Sequence, residues 1–168
     1  RLKKENDNLS TKIKLLNDDA RNASEIFGSD YFDLVLCNPP YFKITDKSSF
    51  NDSYEKKIAR HEVLINLEEI CDCAKKVLKD NGNICIVHRS DRLMDILECF
   101  RKNNIEPKKI KFVYENINKE STLVLIGGQK CGKVGLKVDC PLILYNEDGT
   151  ITSEYKRLQE VVYDSKEL

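Results

Sequence analysis

Asp33-Leu34-Val35-Leu36-Cys37-Asn38-Pro39-Pro40-Tyr41 joins a short apolar run to a turn that a strand cannot pass through. The run has the length and composition of a buried strand. Each proline lacks a backbone N–H and fixes φ near about −65°. Neither belongs inside a central strand. The strand therefore stops at a carboxyl edge, which is where open α/β sheets bind ligands. The turn offers the amide of Asn38, two carbonyls with no competing N–H, and the aromatic face of Tyr41. That set suits a planar amino group.

The chemistry of such a group explains why. An exocyclic amine on adenine, or the amide of glutamine, has its lone pair delocalised into a π system. To attack an electrophilic methyl group, the nitrogen must pyramidalise and recover that lone pair. Acceptors aimed at its two hydrogens favour this. The Asn38 side-chain oxygen and the Pro39 carbonyl supply them, and Tyr41 stacks on the planar group as aromatics do on extruded bases. Pre-placed acceptors, not a strong general base, carry the reaction in this picture. The plain alternative is a loop that only turns the chain.

Upstream, residues 1–8 read as the end of a charged helix and residues 12–16 as a short strand. That strand runs into Asn17-Asp18-Asp19-Ala20. A carboxylate there is a ligand contact at a strand end, or else a turn residue or helix N-cap. Residues 21–31 form a loop or short helix. Beyond the prolines, residues 42–57 are polar and aperiodic, as expected of a substrate loop.

From Ile58 to Lys79, Val63, Leu64, Leu67, Ile70, Cys71, Ala74, Val77 and Leu78 recur at helical spacing. Asp80-Asn81-Gly82 is the expected left-handed end of that helix. Residues 83–87 then form a second buried strand, giving a βαβ unit. His88 and Arg89 follow at its carboxyl edge, beside the Asn38 turn. They are candidates for substrate contact, or a loop histidine and a surface arginine. Ser90 is the expected N-cap of a helix with Leu93, Met94, Ile96, Leu97 and Phe100 inward. Ile105-Glu106-Pro107 closes it. Residues 109–114 and 121–126 are close enough in sequence to form an antiparallel hairpin. Residues 141–145 read as a strand and 146–149 as a turn, and the 150–162 segment ends in a short helix.

At 168 residues, 40% hydrophobic and 33% charged, the chain has the composition of one globular domain rather than a disordered one. Formal net charge is zero, so any nucleic-acid surface must be local. Between Arg101 and Lys137, nine basic residues stand against three acids. Such a stretch either tracks a phosphate backbone or is a solvated lysine-rich face. The seven cysteines are odd in number and contain no Cys-x-x-Cys. They are expected to be small buried hydrophobes of a reducing cytoplasm. Two histidines give zinc little support. No apolar stretch approaches the roughly 20 residues of a membrane span, and no signal peptide is visible. The first residue is Arg1, which leads to the expectation of an upstream part.

The run Asp33 to Tyr41 resembles the catalytic motif of S-adenosylmethionine-dependent amino methyltransferases. These act on adenine N6 in DNA, rRNA or tRNA, or on glutamine in release factors. Three further phrases sharpen the resemblance: Ala59-Arg60-His61-Glu62, Val87 to Leu93, and Pro141 to Gly149 with Thr152-Ser153-Glu154-Tyr155. Together they look like the bacterial tRNA1(Val) adenine N6-methyltransferase family, which modifies the adenine immediately 3′ of the anticodon. The resemblance covers nearly the whole chain from Ile13 onward.

It implies an α/β, Rossmann-like class I methyltransferase fold, here the carboxyl-terminal portion of the doubly wound sheet ending in an antiparallel hairpin. It also implies S-adenosylmethionine as cofactor and tRNA as partner. By position, Asn38, Pro39, Pro40 and Tyr41 form the catalytic turn. Asp19 matches the acid that contacts the cofactor adenine, with Ala20 and Asn38 beside it. Tyr41, His88 and Arg89 fall on the substrate side. The family's glycine-rich loop has no counterpart, since no Gly-x-Gly occurs. The chain by itself is therefore expected to be an incomplete domain that binds the cofactor poorly. A glutamine or another adenine methyltransferase, and an RNA-binding domain without catalysis, are the alternatives.

Overall fold

The computed structural model describes residues 13–39 and 65–164. Pro40, Tyr41, the 42–57 segment, the 58–64 part of the expected helix and the 1–8 run lie outside them. Helix α1 (Ala23–Phe27) follows a short 3₁₀ turn and leads into strand β1 (Phe32–Cys37). Helix α2 (Leu67–Val77), strand β2 (Leu78–Arg89), helix α3 (Leu93–Lys102), strand β3 (Ile105–Tyr114) and strand β4 (Ser121–Lys130) come next. Two-residue strands β5 (Lys137–Val138) and β6 (Leu142–Ile143) and helix α4 (Ser153–Asp164) complete the order.

The sheet runs β1-β2-β4-β3-β5, with β6 also paired to β3. β1 and β2 are parallel, and β4 is antiparallel to both β2 and β3. The βαβ unit and the terminal hairpin thus form as the spacing predicts. The hairpin strands are longer than expected, because β3 begins at Ile105 and not at Lys109. Ile105 is fully buried, so the residues expected to close α3 instead open the strand.

One face of the sheet carries the core. Ile84, Ile86, Val124, Ile126 and Ile110 point toward α2 and α3, which return Ile70, Cys71, Ala74, Ile96, Cys99 and Phe100. On α3 the stripe at 93, 96, 97 and 100 faces inward, but Met94 is 74% exposed. It lies one residue off the three- and four-residue repeat and turns away from the sheet. Ser90 does not cap α3 either. It starts a 3₁₀ turn, and its hydroxyl donates to the Ser121 carbonyl of β4.

The opposite face is open among the described residues. β1 is therefore not the buried strand expected: Leu34 is 50% and Leu36 is 73% exposed. The same openness exposes Cys85, and only Cys71 and Cys99 of the seven free cysteines are buried. Residues 13–17 adopt no strand, and Leu15 and Leu16 are exposed. No strand of the described residues pairs with them.

The end of α2 differs from expectation for a clear reason. The helix stops at Val77, and Leu78 is extended and fully buried. Leu78 pairs with Phe32, yet Asn83 pairs with Leu34, so β2 bulges between these registers. Asn81 takes its left-handed φ of 64° inside this bulge, not at a helix cap. A Cβ on Gly82 would lie 2.8 Å from the Lys79 carbonyl oxygen and 3.2 Å from that of Phe32. Both are backbone atoms with little room to retreat. Gly82→Ala is therefore expected to cost about 1–3 kcal/mol, measured by urea denaturation.

Candidate active site

Parallel pairing brings the ends of β1 and β2 together. The last paired residues are Cys37 and Ile86. Asn38 and Pro39 thus emerge beside Val87 and His88 at the carboxyl edge. Asn38 is exposed and Pro39 is buried, so the turn is anchored on one side and open on the other. Asn38 lines a cavity of about 520 Å³ on the open face, with Leu36, Cys85, Val87, Lys111 and Leu125. Its walls are largely apolar, with the Asn38 amide and the Lys109–Asp139 ion pair among the lining groups. That combination accepts a flat, weakly polar ring whose edge carries donors.

Asp19 reaches the same edge. Helix α2 runs from the carboxyl edge, at Asn66, back to Val77, whose carbonyl accepts from Tyr31 N at the start of β1. Arg21 donates to Glu69 in the first turn of α2 at 3.4 Å, which holds the Asp19 segment at that edge. The Cys73 thiol donates to the Ala20 carbonyl at 3.0 Å. Asp19 also caps the 3₁₀ turn, accepting from Arg21 N. Both sequence roles considered for it, cap and edge carboxylate, are therefore geometrically available together. Arg21 holds the Asp19 carboxyl below the usual range. Burial pushes the Cys37 thiol up, so the sulfur next to Asn38 stays neutral.

His88 and Arg89 diverge. His88 is 7% exposed and lies on the helix-covered side, with Nδ1 accepting from Arg89 N at 2.9 Å. Arg89 is on the outside and pairs with Asp91 at 2.7 Å. Burial, and the Arg92 charge after it, lower the His88 pKa below 6.5. In that case the unfolded chain binds more protons than the folded one between the two pKa values. Stability is thus full above 6.5 and falls as pH drops through the depressed value. His88→Gln is expected to flatten the loss of stability as pH falls below 6.5, seen in denaturation midpoints.

The basic stretch changes meaning in three dimensions. Six of its nine cations hold carboxylates: Arg101–Glu106, Lys102–Glu98, Lys109–Asp139, Lys111–Glu154, Lys119–Glu115 and Lys130–Asp30. It is not an unopposed positive track. Sequence reasoning also passed over Arg21 and Glu69, although Asn66-x-x-Glu69 is a readable capping-box spacing. No group of His, Cys, Asp and Glu that would hold a metal occurs among the described residues. No helix among them is long and apolar enough to cross a membrane.

Known proteins resemble this chain in sequence and in fold. The model of the Eco57I restriction-modification methylase family matches residues 1–122. The tRNA1(Val) (adenine(37)-N6)-methyltransferase of Porphyromonas gingivalis W83 is 30% identical over 89 residues, 52% of this chain and 34% of that protein. The enzyme of the same name from Actinobacillus pleuropneumoniae serotype 7 is 26% identical over 132 residues, covering 79% of this chain and 53% of its own length. The chain therefore spans about a third to half of these curated relatives. Among solved structures, a predicted O-methyltransferase from Agrobacterium tumefaciens superposes with a TM-score of 0.70 at 16% identity, over 92% of this chain and 66% of that one. That likeness establishes a Rossmann-like class I methyltransferase fold.

Proposed function

This chain belongs to the Eco57I restriction-modification methylase family, and from that membership we propose that it carries the acceptor side of an S-adenosylmethionine-dependent adenine N6-methyltransferase acting on tRNA. The observation that carries the reading is the Asn38–Pro39 turn, set at the carboxyl end of β1 with Asn38 lining a largely apolar cavity. Asn38 Oδ1 and the Pro39 carbonyl accept the two hydrogens of the adenine amine and draw its lone pair out of the ring. Tyr41 stacks on that ring. The proton released on alkylation leaves through the exposed side of Asn38. S-adenosylmethionine, when bound, supplies the electrophilic methyl group.

The residues present fit part of that cofactor. The Asp19 carboxylate is ionised and suits an exocyclic amine donor, and Ala20 stands beside it. The glycine-rich element such cofactors require is not in this sequence. Methyl transfer is therefore proposed for the whole protein that carries these residues, not for residues 1–168 alone.

The choice of tRNA is supported by the names of the curated relatives, which are tRNA1(Val) enzymes. The implied position is the adenine 3′ of the anticodon. The ion-paired lysines give it no added support. DNA adenine is the second reading, favoured by the description of the family itself. Labelled cofactor offered in parallel to tRNA, ribosomal RNA, duplex DNA and a release factor separates these. Label in tRNA is the expected result. Label in DNA transfers the reading to restriction-modification chemistry, and label in protein discards nucleic acid altogether.

A further inference from the structure

Six side chains at the carboxyl edge form one connected network. Asp19 Oδ1 accepts from Arg21 N and Arg21 Nε, each at 2.9 Å, and Asp19 Oδ2 accepts from the second guanidinium nitrogen. The remaining Arg21 nitrogen donates to Glu69 Oε1 at 3.4 Å. The other Glu69 oxygen accepts from Asn66 N at 2.8 Å, and Asn66 Oδ1 accepts from Glu69 N at 2.9 Å. Asp18 Oδ1 accepts from Asp19 N at 2.7 Å and from the Asn22 amide at 2.9 Å. One carboxylate thus caps α2 and anchors the arginine that clamps the other.

A carboxylate has roughly four lone-pair positions. Arg21 takes both on Oδ1 and one on Oδ2, leaving a single acceptor position. We propose that Arg21 is a positioning residue for the cofactor: it fixes the Asp19 carboxylate so that this last position accepts the exocyclic amine of the cofactor's adenine. This rests on the reading of Asp19 as the adenine contact. Glu69 holds the guanidinium from the other side, so the clamp is registered on the cap of α2. The same geometry sets specificity. A hypoxanthine base would present an oxygen in place of the amine, and a fixed acceptor facing an acceptor rejects it.

An arginine that merely closed a surface turn would contribute little, as exposed ion pairs usually do. The two roles separate in the whole protein, with S-adenosylmethionine as substrate and S-adenosylhomocysteine and its hypoxanthine analogue as calorimetric probes. Arg21→Ala is expected to raise KM and the S-adenosylhomocysteine Kd about tenfold, leave kcat within about twofold, and weaken the preference for adenine over hypoxanthine. Arg21→Lys recovers only part of this, because an ammonium cannot form the fork. Glu69→Gln keeps the capping box while weakening the anchor, and raises KM about threefold.

A lower melting temperature in Arg21→Ala with unchanged KM, Kd and base preference would overturn the proposal. Asp19→Ala distinguishes its failure from that of the underlying reading. Lost affinity in Asp19→Ala with none lost in Arg21→Ala rejects the positioning role alone. Unchanged affinity and base preference in both, or no binding by the unsubstituted protein, rejects the adenine contact itself.

Discussion

Asn38→Ala is expected to lower kcat for methyl transfer by about 10²–10³-fold, the usual cost of removing one pre-placed polar group aimed at a reacting atom. Affinity for the nucleic acid should stay within about twofold, because the lost interaction is made in the transition state. The structure supports a clean separation of these effects. Asn38 is exposed, so truncating it leaves no cavity in the core. The backbone before it is held by pairing with β2 up to Cys37, and Pro39 anchors the other side. The thermal midpoint should not move. The comparison is single-turnover methylation against nucleic-acid binding by the same variant. If methylation survives in Asn38→Ala, the turn is only a turn. If binding and methylation fall together, Asn38 belongs to recognition and not to the chemical step.

The second large effect concerns stability. Phe100 is fully buried at the centre of the layer between α3 and the sheet. Its ring lies directly over Gly128 of β4: a Cβ built there would be 2.6 Å from the ring edge and equally close to Ile105. Gly128 is the gap that lets the ring edge approach the strand. Phe100→Ala is expected to cost about 3–5 kcal/mol, combining lost burial with the cavity left behind. In a chain of this size that lowers the melting temperature by roughly 10 °C. Gly128→Ala should destabilise by about 1–3 kcal/mol through overpacking. The double variant should cost less than the sum, because the new methyl enters space the ring has vacated. Full additivity in guanidinium titrations would mean that the two residues do not share that space.

The parts of the fold legible in sequence are those whose cause is local. Two prolines must end β1, and the spacing of 93, 96, 97 and 100 must make a stripe on α3. What was not legible depends on partners far along the chain. Asn81-Gly82 is equally good at a helix end and in a bulge, and only Phe32 across the sheet decides. Lys111 and Lys130 look like free positive charge until Glu154 and Asp30 arrive from distant segments. Alternation in β1 cannot reveal that helices of the described residues cover only one face. That is why Leu34, Leu36 and Cys85 proved exposed. Of the proposed site residues, Asn38 and Pro39 follow from the chemistry of the turn, whereas Arg21 and Glu69 gain meaning only once α2 stands beside the Asp19 turn.

The Asn38 turn, in the function proposed above, selects an amino nitrogen conjugated to a planar π system. The most direct test is the identity of the methylated atom. The product formed from labelled cofactor by the whole protein would be digested and its nucleosides resolved by mass spectrometry, with Asn38→Ala alongside. N6-methyladenine that disappears in the variant is the expected product. Methyl found on an oxygen or a ring carbon, or N6-methyladenine undiminished in Asn38→Ala, would contradict it.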